Sequence, residues 1–221
     1  RREPGDRIPG SGTGKEGKGL AYRWAKAGHA VTIGSRQLEK AQRIAKELNT
    51  ENKEINLVIG LQNMDAAKQA ELIVITVPFA AHIATLETIK DAVQGKIVVD
   101  VTVPLVPPKV STVHIPAAGS AAMEAQAVLG EDVKVISAFQ NVSYEKLMDD
   151  KAQISDVLVC GDDPEAKNLV LQLVADAGMK GFDAGALQNS IVSEGMTSVL
   201  ININKKFGVH SAGIRIIGLE E

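Results

Sequence analysis

A glycine-rich segment near the start of the chain has the spacing of a phosphate-binding loop. It fits the pattern G-x-G-x-x-G and consists of Gly12, Thr13, Gly14, Lys15, Glu16 and Gly17. In a dinucleotide-binding fold, the first glycine of this pattern allows a tight turn and the second lets the backbone approach a pyrophosphate. The third lets a helix pack closely on the sheet. The pyrophosphate then lies at the positive N-terminal end of that helix. This segment therefore predicts a dinucleotide site.

A basic group that follows the next apolar run predicts which dinucleotide binds. Gly34, Ser35 and Arg36 come directly after the run, and Lys40 lies one helical turn further on. An acid at the end of the second strand accepts hydrogen bonds from the ribose of NAD, whereas an Arg can hold the extra phosphate of NADP. A hydroxyl, a guanidinium and an ammonium group can converge on that phosphate. The alternative is a solvated helix face, since Lys40 adjoins Glu39. We favour an NADP site, and hence redox chemistry.

Three further segments follow apolar runs, at the edge where open α/β sheets bind ligands. They are residues 77–79, 100–104 and 137–142. The Ser, Gln and Asn side chains of residues 137–142 can hydrogen-bond a carboxamide or the edge of a ring. A plain polar loop and a proline that ends a strand explain these segments almost as well.

The histidines and the single cysteine do not have the spacing of metal ligands, so no metal site is predicted. We expect His29 to interact with the carbonyl groups that end a helix, and Cys160 to be inert core. We expect His82 to lie on a helix surface, although its place after a strand also lets it approach a cofactor. No acid–base pair or Ser/His/Asp order indicates hydrolysis. We assign no catalytic residue, because hydride transfer between two bound cofactors needs positioning more than proton transfer.

The elements that must position these residues alternate between strand and helix. Apolar runs predict strands at residues 30–34, 56–59, 72–77, 96–101, 133–136, 156–160, 180–183 and 214–217. Periodicity and caps predict helices at residues 15–28, 37–49, 63–70, 79–93, 119–129, 164–177 and 187–206. Prolines mark an irregular loop over residues 102–118.

This alternation predicts an α/β fold: a Rossmann-type, doubly wound, mostly parallel sheet with a small C-terminal helical lobe. We expect residues 1–150 to form the NADP-binding Rossmann domain, and residues 151–221 to extend the sheet and add the lobe. The strand before the glycine loop is doubtful. Ile8 is the only strongly apolar residue there, and Pro9 cannot donate to a ladder, so the segment predicts a very short strand at most.

Composition narrows the class of protein. The chain has 221 residues, 45% of them hydrophobic, and a net charge of -3, which does not suggest a nucleic-acid surface. No apolar stretch reaches the length of a membrane span, and the start lacks the profile of a signal peptide. One cysteine allows no internal disulfide and agrees with a reducing compartment. We therefore expect a cytoplasmic protein with no membrane or nucleic-acid partner.

Several motifs together resemble the NADPH:coenzyme F420 oxidoreductase family. They are residues 12–21, residues 34–36 with Lys40, residues 160–163 and residues 183–190. The resemblance runs from about residue 10 to the C-terminus. Its later motifs are far more specific than the glycine loop. It implies a small, homodimeric, cytoplasmic enzyme that moves hydride between C4 of the nicotinamide and C5 of the deazaflavin coenzyme F420.

The resemblance also implies roles for individual residues. The pyrophosphate of NADP would contact Thr13, Gly14, Lys15 and Glu16. The 2′-phosphate would contact Ser35, Arg36 and Lys40. Val77 and Ala138 would lie beside the nicotinamide half, and the deazaflavin would occupy the open cleft between the sheet edge and the C-terminal lobe.

Two departures from the family pattern stand out. Lys15 and Glu16 replace a more neutral pair, which puts an acid near the pyrophosphate unless Glu16 points outward. Ile191 stands where relatives carry an Arg that suits an anionic deazaflavin tail. Two other functions stay open. One is an NADP-dependent reductase of another acceptor, such as a flavin, a metal chelate or an imine. The other is a non-catalytic sensor that binds NADP.

Overall fold

A computed structural model describes residues 7–11, 13–51, 58–152 and 154–219 of the chain. These residues contain eight strands: β1 (Arg7–Ser11), β2 (Ala30–Ser35), β3 (Val58–Gln62), β4 (Leu72–Ile75), β5 (Ile97–Asp100), β6 (Lys134–Ser137), β7 (Val157–Gly161) and β8 (Gly181–Asp183). The strands form one sheet in the order β3-β2-β1-β4-β5-β6-β7-β8. The pair β6–β7 is antiparallel and all other neighbouring pairs are parallel, which confirms the mostly parallel α/β fold.

The helices between the strands cover both faces of the sheet. They are α1 (Lys15–Lys26), α2 (Leu38–Glu51), α3 (Asn63–Gln69), α4 (His82–Ile89), α5 (Ala121–Leu129), α6 (Tyr144–Leu147), α7 (Pro164–Asp176) and α8 (Ser190–Phe207). Apolar side chains of α1, α2 and α7 belong to one core cluster, and those of α3, α4 and α5 belong to a second. The fold is therefore doubly wound, as the alternation of elements predicts.

Strand β4 shows why its sequence is apolar without interruption. All four of its residues are buried, and they alternate between the two cores. Leu72 and Val74 pack in the first cluster, whereas Ile73 and Ile75 pack in the second. A central parallel strand has no solvent face, because helices cover both of its sides.

The doubtful first strand forms, and with five residues it is longer than β4, so the expectation of a very short strand at most is wrong. All five residues of β1 pair with β2, but only Gly10 and Ser11 pair with β4. Because β1 lies between β2 and β4, the order of the strands reverses direction at the β1–β4 junction. Open α/β sheets bind ligands in the crevice at such a switch point.

The C-terminal part differs from the prediction at one element. Residues 214–217 do not form a strand. The segment lies beside the start of β7 but makes one backbone hydrogen bond there, from the amide of Asp156 to the carbonyl of Ile214. The side chains of Ser155 and Asp156 accept the next hydrogen bonds, from the amides of Ile214 and Ile216. In a strand these amides would donate to backbone carbonyl groups of the neighbouring strand. Here they donate to side chains instead.

The expected helical lobe consists of α8, which ends at Gly208 in a left-handed conformation, with φ of 65°. The sheet runs across residue 150 through the β6–β7 pair. The division into units 1–150 and 151–221 stays a prediction.

Candidate dinucleotide-binding site

A cleft of about 700 Å³ opens at the carboxyl ends of β1, β2 and β4. It lies at the switch point of the sheet. The site residues that the sequence predicts and that line this cleft are Thr13, Gly14, Ser35, Arg36, Lys40 and Val77. The fold therefore brings the glycine loop, the basic group and the loop after β4 to one place.

The N-terminus of α1 faces this cleft without a side-chain cap. Gly14 is the N-cap residue, with φ of -76° and ψ of 169°, and no side chain accepts a hydrogen bond from the first turn there. A Cβ atom added at Gly14 would meet no protein atom within 4 Å. The backbone of Gly14 thus borders open space. Uncapped amides and the positive end of the helix dipole make this place suitable for a pyrophosphate.

Of the other described residues of the glycine loop, Lys15, Glu16 and Gly17 do not line the cleft. Lys15 is exposed, and its ammonium group lies 4.7 Å from the centre of the Tyr144 ring. Gly17 is buried in α1, and Gly12 lies outside the described residues. The structure thus places Lys15 against α6 rather than over the cleft.

Glu16 is half-buried rather than turned fully outward. Burial raises its pKa to about 8. At neutral pH the carboxyl group is therefore mostly protonated, and it does not repel a pyrophosphate as an ionised group would. This removes the difficulty that an acid in the loop presents at the sequence level.

The basic group lies at the N-terminal end of α2, and its two charged side chains are exposed. The Ser35 hydroxyl accepts a hydrogen bond from the amide of Gln37 at 3.2 Å, which leaves its proton free to donate. Arg36 and Lys40 are both exposed. Within the described part of the chain neither of them forms an ion pair, so both charges are open to a ligand as well as to solvent. Two unpaired cations and a hydroxyl donor fit a phosphate monoester.

A glycine that sequence reasoning missed fixes the position of α2. A Cβ atom at Gly60 of β3 would lie 2.3 Å from the backbone carbon of Ala41. The backbone of α2 therefore rests directly on β3 at the residue after Lys40. No glycine pattern marks this position, because the close approach arises between elements distant in sequence.

The nicotinamide half of the predicted site is only partly assembled at the cleft. Val77 lines the cleft, together with Thr76 and Pro78. Ala138, in contrast, is fully buried in the loop after β6 and does not line it. Its role beside the nicotinamide stays a prediction.

One prediction for the histidines is wrong and one is confirmed. His82 is fully buried rather than on a helix surface, and its Nε2 lies 2.6 Å from Oδ2 of Asp100, which is also fully buried. The backbone amide of His29 donates to the carbonyl of Trp24 in α1 at 3.0 Å, as expected, while its side chain contacts Asp176 at 2.8 Å. A signal for the first pair exists: His82 follows β4, Asp100 ends β5, and carboxyl ends of adjacent parallel strands meet.

Other chemistry has little support in the described residues. Cys160 is buried, which confirms the core prediction, and burial raises the pKa of its thiol to about 11. Across the described ranges, no three His, Cys, Asp or Glu side chains cluster as metal ligands would. None of the helices in these ranges is both long and apolar enough to span a bilayer.

Comparisons with known proteins agree with this site. Residues 11–104 match the family model described as NADP oxidoreductase, coenzyme F420-dependent. The chain is 40% identical to the F420-dependent NADP reductase of Methanocaldococcus jannaschii, over 95% of this chain and 96% of that protein. It is 37% identical to the F420-dependent NADP reductase of Methanothermobacter marburgensis, over 95% of this chain and 97% of that protein.

A solved structure is similar over the whole fold. It is a putative F420-dependent NADP reductase from Arthrobacter sp. FB24, with a TM-score of 0.82 and 27% sequence identity. The match covers 97% of this chain and all of that one. The similar sequences and the similar solved structure thus carry the same description, that of an F420-dependent NADP reductase.

Proposed function

The chain belongs to the family of coenzyme F420-dependent NADP oxidoreductases, and we propose that the cleft between β1 and β4 is its NADP site. It is an oxidoreductase that transfers hydride between NADP(H) and the deazaflavin coenzyme F420. The resemblance noted in the sequence is thereby confirmed. The roles of individual residues are our proposal.

One observation carries this assignment of the site. Arg36 and Lys40 are exposed, lack an ion pair among the described residues, and line the same cleft as the uncapped start of α1. The exposed Arg43 of the same helix also forms no ion pair among the described residues, so the position in the cleft is what distinguishes Arg36 and Lys40. An anion with phosphates at both places fits this arrangement, and NADP has its phosphates so arranged.

Different residues of the cleft then bind different parts of NADP. The first amides of α1 bind the pyrophosphate, and Gly14 leaves room for its close approach. Arg36, Lys40 and the Ser35 hydroxyl hold the 2′-phosphate. Val77 packs beside the nicotinamide half.

The chemistry needs two reacting rings in contact. When NADPH is bound, hydride would pass from C4 of its nicotinamide to C5 of the deazaflavin, and solvent would supply the proton that completes the reduction. Arg36 and Lys40 are the titratable side chains among the described residues that line the cleft, and we assign both to phosphate binding rather than to proton transfer. The protein therefore contributes orientation, and proximity alone accounts for a large share of such a rate enhancement.

The second substrate is proposed to bind beside the nicotinamide, between the carboxyl edge of the sheet and α8. Ile191, in the first turn of α8, is half-buried and offers no charge to an anionic tail. A homodimer and a cytoplasmic location, which the family resemblance implies, stay predictions.

A direct test mixes reduced NADP with oxidised F420 and follows both absorbances. We expect the wild-type protein to oxidise one coenzyme and reduce the other in equal amounts. Free flavin serves as the competing acceptor. Turnover with flavin and none with F420 would overturn the proposal in favour of another reductase. NADP binding without turnover on F420, flavin, a ferric chelate or an imine would favour a sensor.

A further inference from the structure

Three loops at the carboxyl edge of the sheet are joined through one residue, Asp100, which ends β5. Its carboxylate accepts a hydrogen bond from Nε2 of His82, the first residue of α4, at 2.6 Å. Its backbone carbonyl accepts a hydrogen bond from Nε2 of Gln140 at 2.8 Å. The same carbonyl lies 3.3 Å from the amide of Ala138, which also donates to it. Asp100 thus connects the segment after β4 to the loop after β6.

These contacts join a segment that lines the cleft to a loop that lies behind it. Val77 lies in the segment that leads into α4 and lines the cleft, whereas Ala138, two residues before Gln140, is fully buried and does not line it. On α4 itself, Thr85 lines the cleft while His82 points inward to Asp100. Loss of a contact to Asp100 would therefore let the segment that holds Val77 shift relative to the loop after β6.

The network is built from buried polar groups. Buried side-chain polar atoms that lack a hydrogen-bond partner among the described residues include His82 Nδ1, Thr102 Oγ1 and Gln140 Oε1. Thr102 belongs to the network because its amide donates to the carboxylate of Asp100 at 2.9 Å. An apolar joint of similar volume would fill the same space without placing polar atoms in the core.

The loop after β6 is also held in an uncommon backbone conformation. Phe139, between the two groups that bond to Asp100, has φ of 72°, which is rare for a bulky residue. Its ring packs edge-on against Trp24, whose Nε1 donates to the carbonyl of Leu173 at 2.9 Å. Strained backbone of this kind persists where the surrounding structure enforces it, and it is enriched at functional sites.

We propose that His82, Asp100 and Gln140 are positioning residues for hydride transfer, which hold the segment after β4 against the loop after β6 so that Val77 keeps its place beside the nicotinamide. They act through Val77 and do not touch the coenzyme themselves. This inference rests on the proposed function. The adenosine half of the coenzyme is bound by other loops, so the network governs the geometry of the reaction rather than the affinity for NADP.

Gln140→Met is the sharpest variant, because it keeps the side chain's volume and removes its hydrogen bond to Asp100. We expect kcat to fall by about 10- to 100-fold, the scale on which a misplacement of ~1 Å acts. The Kd for NADP should stay within about 2-fold, because the phosphate contacts are intact. The primary deuterium isotope effect with C4-labelled NADPH should rise, since hydride transfer becomes more rate-limiting.

His82 offers a rescue experiment. His82→Leu removes the contact to Asp100 and leaves a buried carboxylate, so a loss of folding is possible for this variant alone. His82→Gln can place an amide donor where Nε2 lies. We expect His82→Gln to fold. With kcat expressed per NADP-binding site, it should recover at least half of the kcat that His82→Leu loses.

The matched control is His29→Leu. His29 also contacts an Asp, at 2.8 Å, but it directly precedes β2 and therefore lies at the opposite edge of the sheet. This variant should melt at a lower temperature than the wild-type protein. Its kcat per NADP-binding site and its isotope effect should equal the wild-type values. Wild-type kcat and isotope effect in Gln140→Met would overturn the inference alone. Absence of F420 turnover in the wild-type protein would overturn the proposed function and this inference with it.

Discussion

Replacing Arg36 by Ala tests the phosphate pocket, and its magnitude follows from the structure. Arg36 is exposed and forms no ion pair with another described residue, so its removal breaks no internal contact that these residues show. The loss is then a hydrogen bond between charged groups, about 1.5–3 kcal/mol. That range corresponds to a rise in the Kd for NADP of about 10- to 150-fold. NAD lacks the phosphate, and its Kd should change by less than about 2-fold.

The assay is calorimetric titration of both nucleotides at one fixed salt concentration, because salt screens exposed charges. Arg43→Ala is the matched control. Arg43 is also exposed and on α2, but it does not line the cleft, so we expect NADP affinity to stay near the wild-type value. An equal loss of affinity for NAD and NADP in Arg36→Ala would refute the reasoning. So would an Arg43→Ala effect as large as that of Arg36→Ala.

Three further predictions concern the glycines and the acid. Gly14→Ala should weaken the affinity for NADP at least about 10-fold, because the added Cβ atom enters the open cleft. It should lower the melting temperature by no more than about 4 °C, because that Cβ atom meets no protein atom. Calorimetry and a melting curve measure the two effects, and unchanged affinity would contradict the role of α1. The pKa of Glu16 is raised to about 8, so NADP binding should weaken as pH rises through about 8, by up to ~10-fold per pH unit, as the carboxylate ionises in the first turn of α1, near the proposed pyrophosphate site. Glu16→Gln should remove this dependence in titrations from about one pH unit below to about one unit above that pKa, and a pH profile identical to the wild type's would contradict the prediction. Gly60→Ala should lower the free energy of unfolding in urea by about 1–3 kcal/mol, because its Cβ would overlap the backbone of Ala41, and wild-type stability would show that α2 can shift freely.

Local sequence signals predict the frame of the site well. The glycine loop, the basic residues after β2 and the apolar strands each owe their character to a local requirement, such as helix packing, phosphate binding or burial on both faces. The sequence of β1 is an exception, because this strand has five residues although its sequence predicts a very short strand at most. Such requirements leave periodicities and motifs that a single sequence shows.

The remaining features depend on contacts between distant segments. His82 is buried because it pairs with Asp100, which ends the neighbouring strand. The sequence around either residue alone does not indicate this contact. Gly60 contacts α2 backbone in the same way. Residues 214–217 look like a strand because they are apolar, but the side chains of Ser155 and Asp156 take their amides. Tertiary contacts of this kind override local propensity.

The central claim is direct hydride transfer from a nicotinamide held in the β1–β4 cleft to a deazaflavin beside it. The most direct measurement uses NADPH that carries deuterium at C4 on the transferred face, with oxidised F420 and the wild-type protein in ordinary water. We predict that the deuterium appears at C5 of the reduced deazaflavin in nearly full yield. Deuterium released to the solvent, or reduced F420 without label at C5, would contradict the account.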